Sequence, residues 1–259
     1  MASVIHGIKG AALGAVLALP AGAQDAEPVP DIDPRALEIV EAAADYLVAQ
    51  PVLQVSWFVS YDDVVDGREK ITHVRSGVNL LDRDRGFVAE TLDGMETRSF
   101  FFDGTAFTVY DVEEDAYAQI PFFGNYERLI DRVREEYELN LPIWSVLSQD
   151  HHGEFIESAD QMAYMGLTRI AGEPVHHIAL SNYESDWQIW ITDEAEAPEI
   201  RMIAGTDPYT QGWPQFRAYF NAWDFNPVIE EGAFSFTPGE NTDRMVWPRP
   251  TSRAISGGQ

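Results

Sequence analysis

Two pairs of adjacent histidines are the residues of this sequence that most directly suggest chemistry. They are His151-His152 and His176-His177, and histidine is both a common metal ligand and a general acid or base near neutral pH. Because neighbours in a strand point to opposite faces, His176 and His177 cannot bind one metal ion without distortion. One histidine from each pair with a nearby carboxylate would make a three-ligand site. The spacing matches no known metal signature, so we expect turn and surface histidines, with no metal or other cofactor.

Adjacent carboxylates form the second group, since glycoside hydrolysis needs two acids that flank the scissile bond. The pairs are Asp62-Asp63, Glu113-Glu114 and Glu135-Glu136. The chain has 43 acidic residues, so such pairs arise freely, and these fall in predicted turns or on helix surfaces. The chain has no cysteine, and it contains no nucleophile-elbow, phosphate-loop or dinucleotide fingerprint. We therefore expect no catalytic residue and a protein that is not an enzyme.

Apolar side chains on the predicted strands form the third group, and they could line a binding pocket. Pockets for small molecules are mostly apolar with a few polar anchors. The candidate lining residues are Trp57, Phe102, Tyr110, Trp187, Ile189, Phe216 and Phe220. Aromatic residues at alternating strand positions are also typical of an ordinary core. Two interpretations therefore stay open, a ligand cavity and a packed core.

The stretch SDWQIWITD, residues 185–193, shows how one strand divides its side chains. Side chains alternate between the two faces of a sheet, so Trp187 shares an apolar face with two isoleucines. Trp190 lies between a glutamine and a threonine on the mixed face. We predict that Trp187 faces the helices or the cavity. Trp190 is expected on the convex face, partly exposed or covered by a neighbouring loop.

Composition and charge restrict the partners of the protein. The formal net charge is -26, and no cluster of lysines and arginines offsets it locally. Such a surface repels phosphate backbones and anionic headgroups, so nucleic acid is not an expected partner. The hydrophobic content of 45% over 259 residues is enough for a sizeable core.

The amino terminus has the pattern of a secretory signal peptide. Lys9 precedes the apolar run AALGAVLALP, and Ala21 and Ala23 form a small-x-small cleavage site. We expect a signal peptide over residues 1–23, cleavage after Ala23 and export to the periplasm. Without cysteine the mature chain cannot be lipidated at an N-terminal cysteine, and no later apolar run is long enough to span a bilayer. We therefore predict a soluble protein without stable membrane insertion.

Helical periodicity predicts three helices. The first covers residues 34–49, where Asp33 is the expected N-cap and Pro34 occupies the first helical position. Residues 126–139 repeat the spacing of apolar side chains that is typical of an amphipathic helix. Residues 141–149 suit a short helix that a proline opens.

Short segments of period-two alternation, separated by turn signals, fill most of the chain from Leu53 onwards. They include predicted strands near 153–159 and at 234–236. About a dozen strands in succession indicate a mainly β (α+β) fold, a strongly curved antiparallel sheet with helices against its concave side. We predict one domain over residues 24–247 and a disordered tail over 248–259.

Five segments carry a resemblance to a known family. They are DPRALEIVEAAADYL, SFFFDGTAFTVYDVEEDAYAQIP, LPIWSVL, DWQIWI and FSFTP. Together they resemble a family of predicted periplasmic bacterial proteins of unknown function that is grouped with LolA/LolB-like outer-membrane lipoprotein carriers. The resemblance implies a half-open, incomplete β-barrel whose concave side holds helices and an apolar cavity. It assigns no catalytic residue, and the absence of cysteine makes the soluble carriers the nearer parallel.

Two functions remain open from the sequence. The leading one is a non-catalytic periplasmic binding or carrier protein for an apolar ligand, such as an acyl chain, a lipid or a lipoprotein. Its partners would be the apolar ligand or a lipidated protein, with a transient partner in the cell envelope. The alternative is a metal-dependent or acid-base hydrolase of the envelope that uses the His151/His152 and His176/His177 pairs.

Overall fold

The computed structural model of the chain describes residues 31–137, 139, 143–149 and 154–247. The predicted signal peptide, the predicted tail and the first histidine pair lie outside the described residues.

The described residues form four helices and thirteen strands. The helices are α1 (Pro34–Val48), α2 (Tyr126–Tyr137), α3 (Trp144–Leu147) and α4 (Glu154–Glu157). The first seven strands are β1 (Asp31–Ile32), β2 (Val52–Val65), β3 (Glu69–Asp82), β4 (Gly86–Asp93), β5 (Glu96–Phe102), β6 (Ala106–Asp111) and β7 (Ala116–Pro121). The remaining strands are β8 (Gln161–Ile170), β9 (Glu173–Ser181), β10 (Asp186–Thr192), β11 (Ile200–Thr206), β12 (Gln215–Asp224) and β13 (Asp243–Arg244).

All these strands belong to one sheet, with the order β1-β8-β9-β10-β11-β12-β2-β3-β4-β5-β6-β7-β13. Two meanders, β2 to β7 and β8 to β12, are joined where β12 pairs antiparallel with β2. The two short edge strands pair in parallel, β1 with β8 and β13 with β7. Within the described residues the sheet does not close, because β1 and β13 are its two edges. The mainly β class with an open sheet is thus confirmed.

Cross-strand register divides the sheet into a core face and an outer face. One row of paired positions on the core face crosses β2, β3, β4, β5 and β6. Its members are Leu53, Leu81, Phe87, Phe102 and Phe107, each at most 1% exposed. Alternation along every strand places large apolar residues on this face, so the row follows from the period-two pattern of the sequence.

Helix α1 begins as the sequence predicts. The side chain of Asp33 accepts a hydrogen bond from the backbone N–H of Arg35 at 2.8 Å, and Pro34 follows it at the first turn. This cap satisfies an N–H group that has no partner within the helix. The buried residues of α1 lie at helical spacing on one side, and the helix contacts β8, β10 and α4.

Helices α2 and α3 cover the other end of the core face. Leu129 and Val133 of α2 are fully buried. The ring of Trp144 in α3 lies 4.4 Å from the ring of Phe87 in β4 and 6.1 Å from that of Tyr126 in α2. Aromatic contacts of this kind add to the free energy of burial.

Arg83, in the turn between β3 and β4, connects the sheet to three helices. Its guanidinium donates to the carbonyl oxygens of Gln50 at 2.8 Å, Leu147 at 2.9 Å and Leu47 at 3.2 Å. It also donates to the hydroxyl of Tyr126. Burial and the neighbouring carboxylate of Glu127 raise the pKa of Tyr126 above its ordinary value, so the hydroxyl stays protonated. A cation stabilises the carboxyl end of a helix, because the last carbonyl groups there have no donor within the helix.

Two predicted strands are wrong. The segment 154–157 forms α4 rather than a strand, and β8 begins only at Gln161. Residues 234–236 form no strand, because a turn over 231–235 interrupts the extended conformation. The ring of Phe236 packs 5.1 Å from that of Tyr110 on the outer face. Local alternation cannot distinguish these short apolar segments from strands, because tertiary contacts decide their conformation.

We predict that Arg83→Met lowers the free energy of unfolding by roughly 2–4 kcal/mol, because it leaves several carbonyl groups without their donor. Thermal denaturation measures the loss, at about 2–4 °C in Tm for each kcal/mol in a domain of this size. Arg68, exposed in the β2–β3 turn, provides the matched control, and Arg68→Met is expected to leave Tm nearly unchanged. Equal effects of the two substitutions would contradict the role given to Arg83.

Candidate functional site

A cavity of about 360 Å³ lies between the helices and the core face of β10, β11 and β12. The residues from the strands, with Ile200 at the start of β11, are Trp187, Ile189, Ile200, Ile203, Phe216 and Ala218. The residues from α1 are Val40, Ala44, Leu47 and Val48. The other lining residues are Arg134, Ile143, Ser145, Val146 and Ile156. This space is called the apolar cavity below.

The helical wall of the apolar cavity follows from the apolar stripe of α1. Val40, Ala44 and Leu47 recur at intervals of four and three, so they lie on one side of the helix. Val40 and Leu47 are 3% and 4% exposed, whereas Ala44 is only half-buried. A small side chain at position 44 therefore leaves space where a larger one would fill it.

The sheet wall is built from rows that cross three strands in register. In one row Ile189 pairs with Ile203, and Ile203 pairs with Ala218. In the next row Trp187 pairs with Gly205, and Gly205 with Phe216. Residues paired across strands share a face, so the register directs these side chains to the same side as α1.

Trp187 lies over a glycine. A Cβ atom added at Gly205 would meet the indole ring at 2.6 Å, which is closer than atoms can approach. The indole Nε1 donates a 2.6 Å hydrogen bond to the hydroxyl of Ser185. The glycine provides the space for the ring and the serine orients it, so Trp187 is held flat against β11 as part of the cavity wall.

Three of the residues proposed from the sequence line this cavity, namely Trp187, Ile189 and Phe216. Trp187 lies on the core face and Trp190 on the opposite face, as the alternation predicts. Trp190 is half-buried, and its ring stacks on His177 with centroids 4.5 Å apart.

The other four proposed residues lie elsewhere. Trp57, Phe102 and Phe220 are on the core face but are only 1%, 1% and 2% exposed, inside the packed core. Tyr110 is on the outer face, where its hydroxyl donates to Asp115 at 3.0 Å. The structure thus does not bring these four to the apolar cavity.

Several lining residues are not singled out by sequence reasoning. Ile156 and Val146 come from short helices without a long periodic pattern, and Arg134 belongs to a helix surface. The apolar stripe of α1 is visible in the sequence, yet its partner strands are not. A contact between α1 and β10 joins segments more than a hundred residues apart, which no local pattern encodes.

A second, more polar cavity of about 480 Å³ adjoins the first at Trp187, which lines both. Its lining includes the carboxylates Asp31, Asp33 and Asp186. The carboxylate of Asp33 accepts a hydrogen bond from the first turn of α1, which it caps. We assign no ligand to this second cavity.

The histidines of the second pair point to opposite faces and have separate partners. His176 Nδ1 lies 3.0 Å from the hydroxyl of Tyr164, and its Nε2 lies 3.0 Å from Asp193 Oδ1. His177 Nε2 lies 2.9 Å from Gln188 Oε1. Within the described part of the chain, no group of three or more metal-ligating side chains occurs.

The adjacent carboxylates that the structure describes make local structural contacts. Burial alone would raise the pKa of Asp62, but hydrogen bonds from Thr72, Lys70 and the backbone N–H of Gln215 outweigh burial and lower it. The backbone N–H of Thr97 likewise lowers the pKa of Glu113. Such carboxylates are ionised acceptors that hold turns and strands together.

The fold and the cavity define a mainly β protein with an open sheet whose core face encloses an apolar space against its helices. The chain belongs to the DUF2092 family of predicted periplasmic proteins, whose model matches residues 36–246. The family and the periplasmic localisation predicted from the sequence are thereby confirmed. Among curated proteins no match is found.

Solved structures of low sequence identity are also similar to this chain. LprF from Mycobacterium bovis is 12% identical, with 80% of this chain and 99% of that chain covered and a TM-score of 0.47. The Mycobacterium tuberculosis lipoprotein LppX is 12% identical, with 76% and 98% covered and a TM-score of 0.39. A LolA superfamily protein from Nitrosomonas europaea is 9% identical, with 78% and 97% covered and a TM-score of 0.33.

Across the described ranges, no helix has the length and apolar character to cross a membrane.

We predict that Gly205→Ala lowers the free energy of unfolding by roughly 1–3 kcal/mol, because the added methyl group displaces the ring of Trp187. In a Trp187→Ala background the same change should cost less than about 0.5 kcal/mol, since no ring remains to be displaced. Urea denaturation of the four proteins in this double-mutant cycle measures the coupling. Additive effects would show that the two residues do not contact each other as described.

Proposed function

We propose that this chain is a non-catalytic periplasmic binding or carrier protein for an apolar ligand, an acyl chain of a lipid or of a lipoprotein. The observation that carries the proposal is the apolar cavity of about 360 Å³ between α1 and the sheet. Its volume falls within the range of roughly 300–1,000 Å³ that is usual for ligand pockets. The chain belongs to a family of predicted periplasmic proteins, and this membership supports the periplasm as the compartment.

The chemistry of the lining supports an acyl chain in particular. Isoleucine, valine and leucine side chains form most of the wall, with the faces of Trp187 and Phe216. Transfer of a methylene group from water to such a surface is favourable by about 0.8 kcal/mol. A chain of several methylene groups would therefore bind through burial, without specific polar contacts along its length.

We also propose that the open sheet is the half-open, incomplete barrel implied by the family resemblance, with α1 and α2 on its concave side. The contacts of α1 with β8 and β10 support this placement. A sheet with two free edges can change its opening more easily than a closed barrel, in which every strand is paired on both sides. Such an opening would let a ligand enter and leave.

No observation on the described residues supports a hydrolase as the apolar cavity supports a binding protein. His176 and His177 point to opposite faces, so they cannot act on one substrate atom. Asp62 and Glu113 are held by local hydrogen bonds, and neither lines the apolar cavity.

We expect purified protein to carry a lipid-sized adduct in native mass spectrometry, and Ala44→Leu to abolish it. The larger side chain occupies the apolar cavity, so binding of an apolar dye should weaken at least about tenfold, a change of about 1.4 kcal/mol. Stability should not fall, because filling an apolar cavity usually stabilises a protein.

Ala42→Leu is the matched control, since Ala42 is exposed on the same helix. It should bind ligand as the unchanged protein does. If no adduct appears and no dye binds to either protein, or if Ala44→Leu binds as well as Ala42→Leu, the proposed function is wrong.

We further propose that the mature chain begins at Gln24, that residues 24–247 form one domain and that 248–259 are a disordered tail. The cleavage site at Ala21 and Ala23 motivates the first of these. The expected intact mass after export is that of the chain without residues 1–23. A mass that retains these residues would contradict cleavage.

A further inference from the structure

The apolar cavity has a charge at its rim. Arg134 of α2 is the one charged side chain among the described residues that line it, and no carboxylate does so. The Arg134 side chain is 48% exposed, so it reaches both the apolar lining and the solvent. The protein as a whole has only 17 lysines and arginines against 43 acidic residues. A cation at this rim is therefore opposite in sign to the net charge of the protein.

The donors of Arg134 are only partly used. Its Nη2 donates to Asp131 Oδ1 at 2.6 Å, one turn earlier in the same helix. Within the described residues, Nε and Nη1 have no acceptor. A guanidinium has five N–H donors in a planar fork that matches a carboxylate or a phosphate.

A second donor faces the same space. Ser145 of α3 lines the apolar cavity and is exposed, and its hydroxyl makes no hydrogen bond with any described residue. Among the described lining residues, the charged or hydroxyl-bearing side chains are therefore one cation and one hydroxyl. Both can donate to an anion, whereas a cationic headgroup would find no carboxylate among these residues and would be repelled by Arg134.

The size of the cavity limits the apolar part of the ligand. Its volume of about 360 Å³ lies near the lower end of the range of roughly 300–1,000 Å³ that is usual for ligand pockets. This favours a ligand with one acyl chain over a ligand with several.

From these observations we propose that the ligand is a single-chain anionic amphiphile, with its chain in the apolar cavity and its carboxylate or phosphate head on Arg134. This inference rests on the proposed function and adds the class of ligand and the direction in which it binds. An ion pair between a guanidinium N–H and an oxygen of a carboxylate or phosphate is stronger than a neutral hydrogen bond.

Arg134 also lies in the last turn of α2, where a cation stabilises the helix whether or not a ligand binds. A purely structural arginine would affect stability but not the choice between ligand heads. The test must therefore compare ligands that differ only in the head.

The experiment titrates dodecanoate, dodecyl phosphate and dodecanol into the delipidated full chain by calorimetry. Salt is kept near 0.15 M, where the Debye length is about 8 Å, so that the overall negative charge does not dominate. We expect at least one anionic probe to bind about tenfold more tightly than dodecanol, a modest preference because the arginine is half exposed. Comparison of the two anionic probes shows whether the site favours a carboxylate or a phosphate.

The substitution Arg134→Gln should reduce this preference to less than about twofold, while Arg134→Lys retains part of it, since lysine keeps the charge without the fork. Arg132 lies on the same helix, pairs with Glu136 at 3.1 Å and does not line the cavity. Arg132→Gln is the matched control and should keep the full preference. Tm values of all variants separate a loss of fold from a loss of selectivity.

The results distinguish this inference from the proposed function. If dodecanol binds as tightly as both anionic probes, or if Arg134→Gln keeps the preference, the proposal of an anionic head is wrong. The apolar cavity would still bind a chain in that case. If none of the three probes binds, the proposed function fails as well.

Discussion

The position of the helices depends on the hydrogen bonds that the guanidinium of Arg83 donates. It lies in a turn of the sheet and donates to carbonyl groups after α1 and in α3 as well as to the hydroxyl of Tyr126 in α2. Carbonyl groups at helix ends need donors, and a single arginine provides several at once. Because α1 is one wall of the apolar cavity, a contact at the far end of that helix helps to determine whether the cavity exists.

Tryptophan over glycine occurs twice on the core face, with different consequences. Trp57 lies over Gly77, where an added Cβ would meet the indole at 2.5 Å, and its Nε1 donates to Asn79 at 2.8 Å. This ring is 1% exposed and fills the core. Trp187 lies over Gly205 in the same way but remains half-buried at the edge of a space. The same local packing therefore produces core in one place and cavity wall in the other.

An apolar space of this size has a cost for the folded state. Side chains that face an empty volume lose the dispersion contacts that a filled core would provide. A ligand that enters the space restores those contacts, and any ligand that binds only the folded protein stabilises it. The half-buried Ala44 of α1 keeps this volume open, where a leucine would close it. Binding and packing thus compete for the same positions.

The sequence alone determines the features that depend on local periodicity and chemistry. Alternation placed Trp187 and Trp190 on opposite faces, and Asp33 with Pro34 marked the start of α1, because these are properties of neighbouring residues. The acidic net charge is likewise read directly from composition. The segment resemblance was enough to identify the family, although α4 and residues 234–236 were predicted as strands, because short apolar segments carry no distinctive period.

Only the tertiary structure decided which apolar side chains fill the core and which line the cavity. Trp57 and Trp187 look alike in the sequence, and both lie on strands with the same alternation. Their difference depends on what packs above each ring, and that is set by helices distant in the chain. Arg83 and Arg134 show the same limit for polar residues. In the sequence, neither arginine differs from the other arginines of the chain. Folding brings carbonyl groups next to Arg83 and the apolar wall of the cavity next to Arg134, and these neighbours determine what each side chain does.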